Sequence, residues 1–300
     1  MKKIIISLSI SILTVCGIYA QDVKFGVRGG LNLPNIMAGG TNTPVSEGYS
    51  SRLAAGWGIF TELQVNPAFS LRLGVEYSGL GGKKDGMQAM PSMRLLTEMM
   101  SSNISLAGMT PEQEMAMGVL ATSLPQYYYA DVKNTAKFDY IVIPMLAQYG
   151  WDIGQSPWRV YVNAGPFVSF ILTGKQATSG NSRLFSDASA TTTLWANIDD
   201  IVMLGEFPIP KALVASQFPE IQAALDGQVE FGETNITGEL RSTNFGVTGN
   251  VGIRYQCGRN YFFLEAGGNY GFITVQNDDA NGSNRLGAAS VMLGYSFSLF

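Results

Sequence analysis

The sequence contains no histidine, which removes the commonest general base, the commonest metal ligand and any serine–histidine dyad. An Asp or Glu mechanism stays open to such a chain, but no carboxylate pair stands out against the residue pattern, and no enzyme is expected. Cysteine is almost missing as well, with Cys16 and Cys257 alone. Charged residues make up 14%, where a soluble globular chain carries about 25%, so much of the surface has to meet something other than water. Long apolar runs are also lacking. After Gln21 no stretch reaches the roughly 18 uninterrupted apolar residues of a spanning helix. If the chain enters a membrane, it enters as strands.

Residues 1–20 have the layout of a secretory signal peptide. Lys2 and Lys3 precede an apolar run from Ile4 to Val15, too short to cross a bilayer, and Ile18-Tyr19-Ala20 offers a cleavage site before Gln21. A lipoprotein reading of Cys16 is weakened by the bulk of Val15 just before it. Cleavage leaves Cys257 alone, so the exported chain holds no internal disulfide. It also leaves 17 basic against 23 acidic side chains, a balance that argues against nucleic acid as a partner.

What is present is alternation. Val23 to Leu33, Arg52 to Val65 and Phe69 to Ser78 each place apolar residues on every second position, the period that gives a strand two unlike faces. In the third, Phe69, Leu71, Leu73, Val75 and Tyr77 alternate with Ser70, Arg72, Gly74, Glu76 and Ser78. Tyr140 to Ile171 reads as a hairpin turning at Asp152 to Pro157. Asn244 to Tyr255, Tyr261 to Val275 and Arg285 to Phe300 complete eight strands. Three short turns alternate with four longer loops, among them Pro34 to Ser51 and two long insertions, residues 79–136 and 173–241. In the first, Thr110-Pro111-Glu112-Gln113 supplies a helix cap, a first-turn proline and a reciprocal partner, predicting a helix to about Ser123; a second spans Ser92 to Ser101. In the second, a helix near Lys211 to Leu225 is interrupted at Pro219.

The expectation is an all-β chain: an eight-stranded antiparallel transmembrane β-barrel, residues 21–300, with long, partly helical extracellular loops and both ends in the periplasm. A soluble binding barrel would show the same alternation with the faces exchanged, so alternation alone does not separate inside from outside. The signal peptide, the loop asymmetry, the terminal Phe300 and the aromatics near the short turns favour the membrane. Those aromatics include Tyr149, Trp151, Trp158, Tyr161, Tyr255 and Tyr261, placed where ring side chains settle at a membrane interface. Phe300 itself lies on the opposite parity from the apolar residues of its strand, a departure from many outer-membrane strands.

The hairpin's first arm, Tyr140-Ile-Val-Ile143-Pro144-Met-Leu146, resembles the Tyr-x-x-Ile-Pro-x-Leu strand of the outer-membrane β-barrel family of Bacteroidetes, which includes PorT-like proteins. Its second, Ala164-Gly165-Pro166-Phe-Val-Ser169, resembles that family's Ala-Gly-Pro-x-x-Ser strand, and Phe25-Gly-Val-Arg-Gly-Gly-Leu-Asn-Leu33 resembles its opening strand. The resemblance implies a porin-family barrel and, from PorT-like members, an accessory role in protein secretion.

Lys24, Arg28, Arg52, Arg72, Arg159 and Arg254 share inferred lumen parity with Glu62, Glu76 and Glu265. They read either as a salt-bridged plug or as the lining of a narrow, anion-preferring passage. Met87, Met90, Met93, Met99, Met100, Met109, Met115 and Met117 crowd one insertion. Thioethers bind soft copper, but without Cys or His beside them helix packing is the simpler reading. Asn277 to Gly282 partly matches a calcium loop, yet Ala288 stands where the distal Glu belongs. Gly26-Val27-Arg28-Gly29-Gly30 is followed by no helix to receive a phosphate. No cofactor or metal is expected. The expected function is a non-enzymatic barrel whose surface cap binds a macromolecule or stabilises the envelope, with the secretion accessory and the channel as alternatives. Its expected partners are outer-membrane lipid, the barrel assembly machinery and a surface or secretion-system protein.

Overall fold

The computed structural model describes residues 22–38, 43–103, 109–279 and 282–299. The expected signal peptide and Phe300 lie outside the described residues. Eight long strands form the wall: β1 (Asp22–Ala38), β2 (Ala54–Gln64), β3 (Phe69–Pro91), β4 (Tyr127–Asp152), β5 (Trp158–Ser179) and, after an excursion through five short strands, β11 (Thr243–Cys257), β12 (Asn260–Gly271) and β13 (Asn284–Ser298). Each pairs antiparallel with its neighbours, β5 with β11, and β13 returns to β1 from Lys24↔Ser298 to Ala38↔Asn284, closing a ring of eight. Closure leaves the ring without an edge, the condition for strands to cross a bilayer. No described helix is long and apolar enough to cross.

The ring resolves which face is which. Val27, Leu31, Trp57, Ile59, Val75, Val251 and Leu293 are about half exposed or more on the outer wall, while Lys24, Glu62, Arg72, Arg254 and Glu265 are at most 4% exposed inside it. An apolar outside and a charged inside suit lipid. Water would reverse both.

Several strands are longer than their alternation suggested. Pro34, expected in a loop, continues β1 opposite Ala288. The first insertion is largely not a loop: β3 and β4 stay paired from Phe69↔Tyr149 to Pro91↔Tyr127. Gly81 and Gly86 take positive φ values of 121° and 101° on this extension, conformations open to glycine, and the irregular backbone hides the period-two pattern. Near its middle the wall is interrupted. Pairing lapses without a change of register between Leu73↔Met145 and Glu76↔Val142 for β3 and β4, and between Pro144↔Phe167 and Ala147↔Ala164 for β4 and β5, whereas the register of β4 on β5 shifts only at Asp139/Tyr140. Pro144 has no N–H to give either ladder.

Beyond the ring lies a cap. α1 (Ser92–Asn103) and α2 (Pro111–Ser123) top the β3–β4 hairpin. From β5 to β11 the chain runs through β6 (Asn181–Arg183), α3 (Leu194–Asn197), β7 (Ile201–Leu204), β8 (Phe207–Pro210), α4 (Ala212–Gln217), α5 (Pro219–Asp226), β9 (Gln228–Glu230) and β10 (Glu233–Asn235). β6 pairs with β9 and β7 with β8. The capping box of α2 forms: the Gln113 N–H donates to Thr110 Oγ1 at 3.3 Å and the Thr110 N–H to Gln113 Oε1 at 3.0 Å. Pro219 ends one helix and begins the next, because its ring blocks continuation and suits a first turn.

The cap has a core of its own. Leu95, Leu96, Ala116, Val119, Leu120, Leu184, Leu194, Val214, Ile221 and Leu225 are buried together with Met90, Tyr128 and Ile209. A second apolar cluster sits at the cap end of the ring, where Ile36, Leu80, Phe138, Tyr140, Val275 and Leu286 meet Ile236 and Leu240 from the segment between β10 and β11.

Candidate functional site

Two places could carry function, the lumen and the cap. In the lumen, Glu265 accepts from Arg28 Nη1 at 2.7 Å, Arg72 Nη1 at 2.5 Å, Tyr161 Oη at 2.8 Å and Asn163 Nδ2 at 3.2 Å. Glu62 takes both Nη atoms of Arg254, at 2.9 and 2.6 Å, and Arg72 Nη2 at 3.3 Å. Glu76 receives Arg28 through Nε and Nη2, each at 2.8 Å. Arg72 therefore bridges two carboxylates and Arg28 bridges two, one continuous network across strands from opposite sides of the ring. Register supports it locally, since Lys24, Glu62 and Arg72 are cross-strand neighbours on β1, β2 and β3. Lys24 is held by Gln64 at 2.6 Å and Asp22 at 3.0 Å.

Aromatic rings shield these charges. Phe60 lies 4.4 Å from the Arg72 guanidinium, Phe263 5.4 Å, and Tyr161 5.1 Å from that of Arg254. Each ring lies across a directly paired glycine on the next strand: Gly26 for Phe60, Gly294 for Phe263, Gly252 for Tyr161. A Cβ at any of the three would meet the ring. The glycines that thin the alternation are thus the sockets of the lumen aromatics.

Seven of the nine expected lumen charges, Lys24, Arg28, Glu62, Arg72, Glu76, Arg254 and Glu265, come together here. Arg159 and Arg52 do not join them. Arg159 binds Asp152 and the carbonyls of Pro67 and Gly150 at the turn end, and Arg52 binds the Leu80 carbonyl toward the cap end. Of the expected interface aromatics, Tyr149, Trp151 and Trp158 are exposed on the outer wall, and Tyr255 stacks beside Trp158 at 4.9 Å. Tyr161 and Tyr261 are corrections. Both are on the inner parity, with Tyr161 2% exposed among the lumen charges and Tyr261 beneath Lys24 and Arg254. Proximity to a turn located them correctly along the strand, while parity with Arg159 on β5 and with Glu265 on β12 would have placed them inward. Gln148, Asn163 and Asn250 also belong to the network and carried no sequence signal beyond that parity.

The lumen is filled rather than open. A vestibule of about 180 Å³ at the turn end is bounded by Lys24, Glu62, Gln148 and Arg254, and a void of about 30 Å³ lies by Arg28, Asn32 and Glu76. Above them the apolar cluster around Phe138 and Leu240 occupies the cap end.

The methionines pack the cap: Met90 is buried in its core, Met99, Met109 and Met117 lie against it, and Met87, Met93 and Met115 face outward. Tyr128 Oη donates to Met90 Sδ at 3.1 Å, and burial pushes its phenol above the ordinary range. On the extension of β3, Lys84 is buried with its ammonium 2.8 Å from the Val45 carbonyl and 4.3 Å from the Tyr49 ring. Desolvation lowers its pKa to about 8, only partly opposed by Glu47, and raises that of Tyr49 to about 12. Among the described residues no three His, Cys, Asp or Glu side chains gather as metal ligands.

With a closed ring of eight strands, an apolar wall and a charged lumen established, the sequence model of the outer membrane protein beta-barrel domain family matches residues 19–277. The chain belongs to that family. No curated protein matches it. Among solved structures, the barrel is similar to Neisserial surface protein A, at 14% identity, 91% of this chain and 96% of that one, with a TM-score of 0.32. It is similar also to OprG from Pseudomonas aeruginosa, at 10% identity, 92% and 95% coverage and a TM-score of 0.34. The outer membrane protease OmpT from Escherichia coli is a third, at 7% identity, 93% and 97% coverage and a TM-score of 0.38.

Proposed function

We propose that this barrel is a non-enzymatic outer-membrane protein whose cap binds a macromolecule at the cell surface, on a barrel sealed by its own side chains. The observation that carries the reading is the cap's separate apolar core, assembled from α1, α2, α4, α5 and the strand extensions. A chain that only anchors in lipid has no use for a folded body outside it, and long ordered excursions in compact domains are mostly functional. The resemblance of Tyr140 to Leu146 and Ala164 to Ser169 to PorT-like strands would make the bound macromolecule a secreted protein or part of its export machinery. The lumen network favours the plug over an anion passage, because each buried carboxylate is already occupied by guanidinium groups.

The test is surface crosslinking in cells, comparing the full chain with one in which residues 92–126 and 180–231 are replaced by short turns. Both should fold to the heat-modifiable form, and only the full chain should capture its partner. Equal capture would remove the cap from the function. In the same cells the mature protein should begin at Gln21 and fractionate with the outer membrane. A protein recovered from the periplasm would overturn the location.

A further inference from the structure

The β7–β8 hairpin stands out from the cap. Val202 and Ile209 point into the cap core, and the opposite face carries only apolar side chains: Ile201, Met203, Pro208 and Pro210. Ile201 is 62% exposed, Met203 57% and the adjoining Phe207 72%, all in the water-facing cap. Pairing runs Ile201↔Pro210, Val202↔Ile209, Met203↔Pro208 and Leu204↔Phe207. Proline has no N–H, so the pairs at Pro208 and Pro210 are those that exchange no ladder bonds. The N–H groups of Ile201 and Met203 therefore point away from β8, toward the free edge of β7, and neither donates a hydrogen bond among the described residues. The two edges of the hairpin differ. Along β8, Pro208 and Pro210 leave no outward N–H, the usual protection against strand pairing. Along β7 the donors are intact.

Charge defines what fits that edge. Asp199, Asp200 and Glu206 are exposed beside it, and none makes an ion pair among the described residues. The nearest base, Lys211, is turned onto the Ile198 carbonyl at 2.9 Å and the Trp195 ring at 4.8 Å. Segments 92–126 and 180–241 together hold 12 acidic and 4 basic residues. A second copy of the cap would bring like charge against like, and an anionic lipid surface would be repelled. We infer that the free edge of β7 receives an extended, basic polypeptide segment, which adds a strand through the backbone of Ile201 and Met203 and sets its cationic side chains against Asp199, Asp200 and Glu206. Main-chain bonds supply the adhesion in such strand addition, and alternate side chains supply the selection. The inference rests on the surface-binding reading of the cap and names its partner class.

The experiment uses the full chain in detergent and a fluorescent peptide of alternating valine and lysine, with alternating valine and glutamate as control, followed by anisotropy. The lysine peptide should bind and the glutamate peptide should not. Met203→Pro, which removes one outward N–H at a position where β8 already tolerates proline, should weaken binding about tenfold, as should the pair Asp199→Asn and Asp200→Asn. Raised salt should weaken it as well. Lysine-peptide binding unchanged by Met203→Pro in a chain that keeps its heat-modifiable mobility would overturn the inference. So would binding of both peptides alike, or self-association abolished by Met203→Pro, which would give the edge to a second copy. The cap-excised chain separates the two levels: crosslinking to the cellular partner that survives Met203→Pro but fails on excision removes the edge and keeps the cap, whereas capture surviving both removes both.

Discussion

Arg72 Nη1 lies 2.5 Å from Glu265 Oε1 across the lumen, although 193 positions separate the two in the chain. Each side chain is 1% exposed, so the pair joins β3 to β12 in a region that water scarcely reaches. Glu265→Ala leaves Arg72 with Glu62 at 3.3 Å as its one carboxylate, beside the Gln148 side-chain carbonyl at 2.8 Å. The expected cost is about 3 kcal/mol, the lower end of what breaking a buried pair costs. It should be read as a lower urea midpoint for loss of the fast-migrating, unheated band. A variant as stable as the parent would show that the network does not hold the wall.

The outer wall should be intolerant of charge. Val75 is 48% exposed toward lipid and opposite Ile59, and Val75→Arg near the midplane should cost about 2 to 4 kcal/mol. Val75→Leu should cost little. Equal behaviour of the two in folding into vesicles would contradict the assignment of faces.

The glycine sockets predict a coupled pair. Gly26→Ala drives a methyl group into the Phe60 ring and should destabilise by about 1 to 3 kcal/mol as overpacking. Phe60→Leu should recover part of that loss, so the double variant should sit well above the sum of the singles. Strict additivity would mean that the ring moves aside freely.

Planar-bilayer recording tests the sealed lumen. The full chain should show no steady conductance, and neither should the cap-excised chain, because the Glu62–Arg72–Glu265 layer lies below the cap. Steady anion-selective current lowered by Arg254→Ala would move the protein to the transport class.

The pH response of the cap should turn over. Burial lowers Lys84 to about 8 from an ordinary 10.5, so from pH 8 upward the unfolded chain holds the proton more tightly than the folded one, and stability rises with pH. Tyr49 works the other way: its pKa is raised to about 12 from 10, so above pH 10 the unfolded chain ionises it first and stability falls. Thermal melts followed by Trp195 fluorescence should peak near pH 10. Lys84→Met should abolish the rise and keep the fall.

Strand count, pairing order, the α2 cap and the helix break at Pro219 were legible because each depends on local signals: a period of two, a Thr-Pro-Glu-Gln sequence, a proline. The inner face was legible in part, since parity collects Arg28, Arg72, Glu76 and Glu265 on one side. The partner of each charge was not, because Arg72 meets Glu265 only once the ring closes. The strand extensions were hidden for a different reason. Beyond the bilayer the outer face of β3 and β4 meets water, with Lys83, Asp85, Asp131 and Lys133 exposed, and the inner face buries Lys84 and Gln88 beside Leu80 and Met90, so burial still alternates while the polar and apolar residue types that lipid would separate do not. Tyr161 and Tyr261 show the limit of composition near a turn, where an aromatic serves equally as a membrane anchor or as a lid over a guanidinium.

The continuous pairing of β3 with β4 from Glu76↔Val142 out to Pro91↔Tyr127 sets how the cap bears mechanical load. Tension on α1 or α2 along the barrel axis acts mostly along these strands, which in such barrels tilt about 40° from that axis. Where β4 is held by β5 and β3 by β2, the many rungs on either side resist sliding together and are sheared as a group. The distal part of the hairpin, with fewer flanking rungs, is the section that peels first. A partner pulling on this protein from outside would therefore strip the cap from its far end long before it drew the barrel from the membrane.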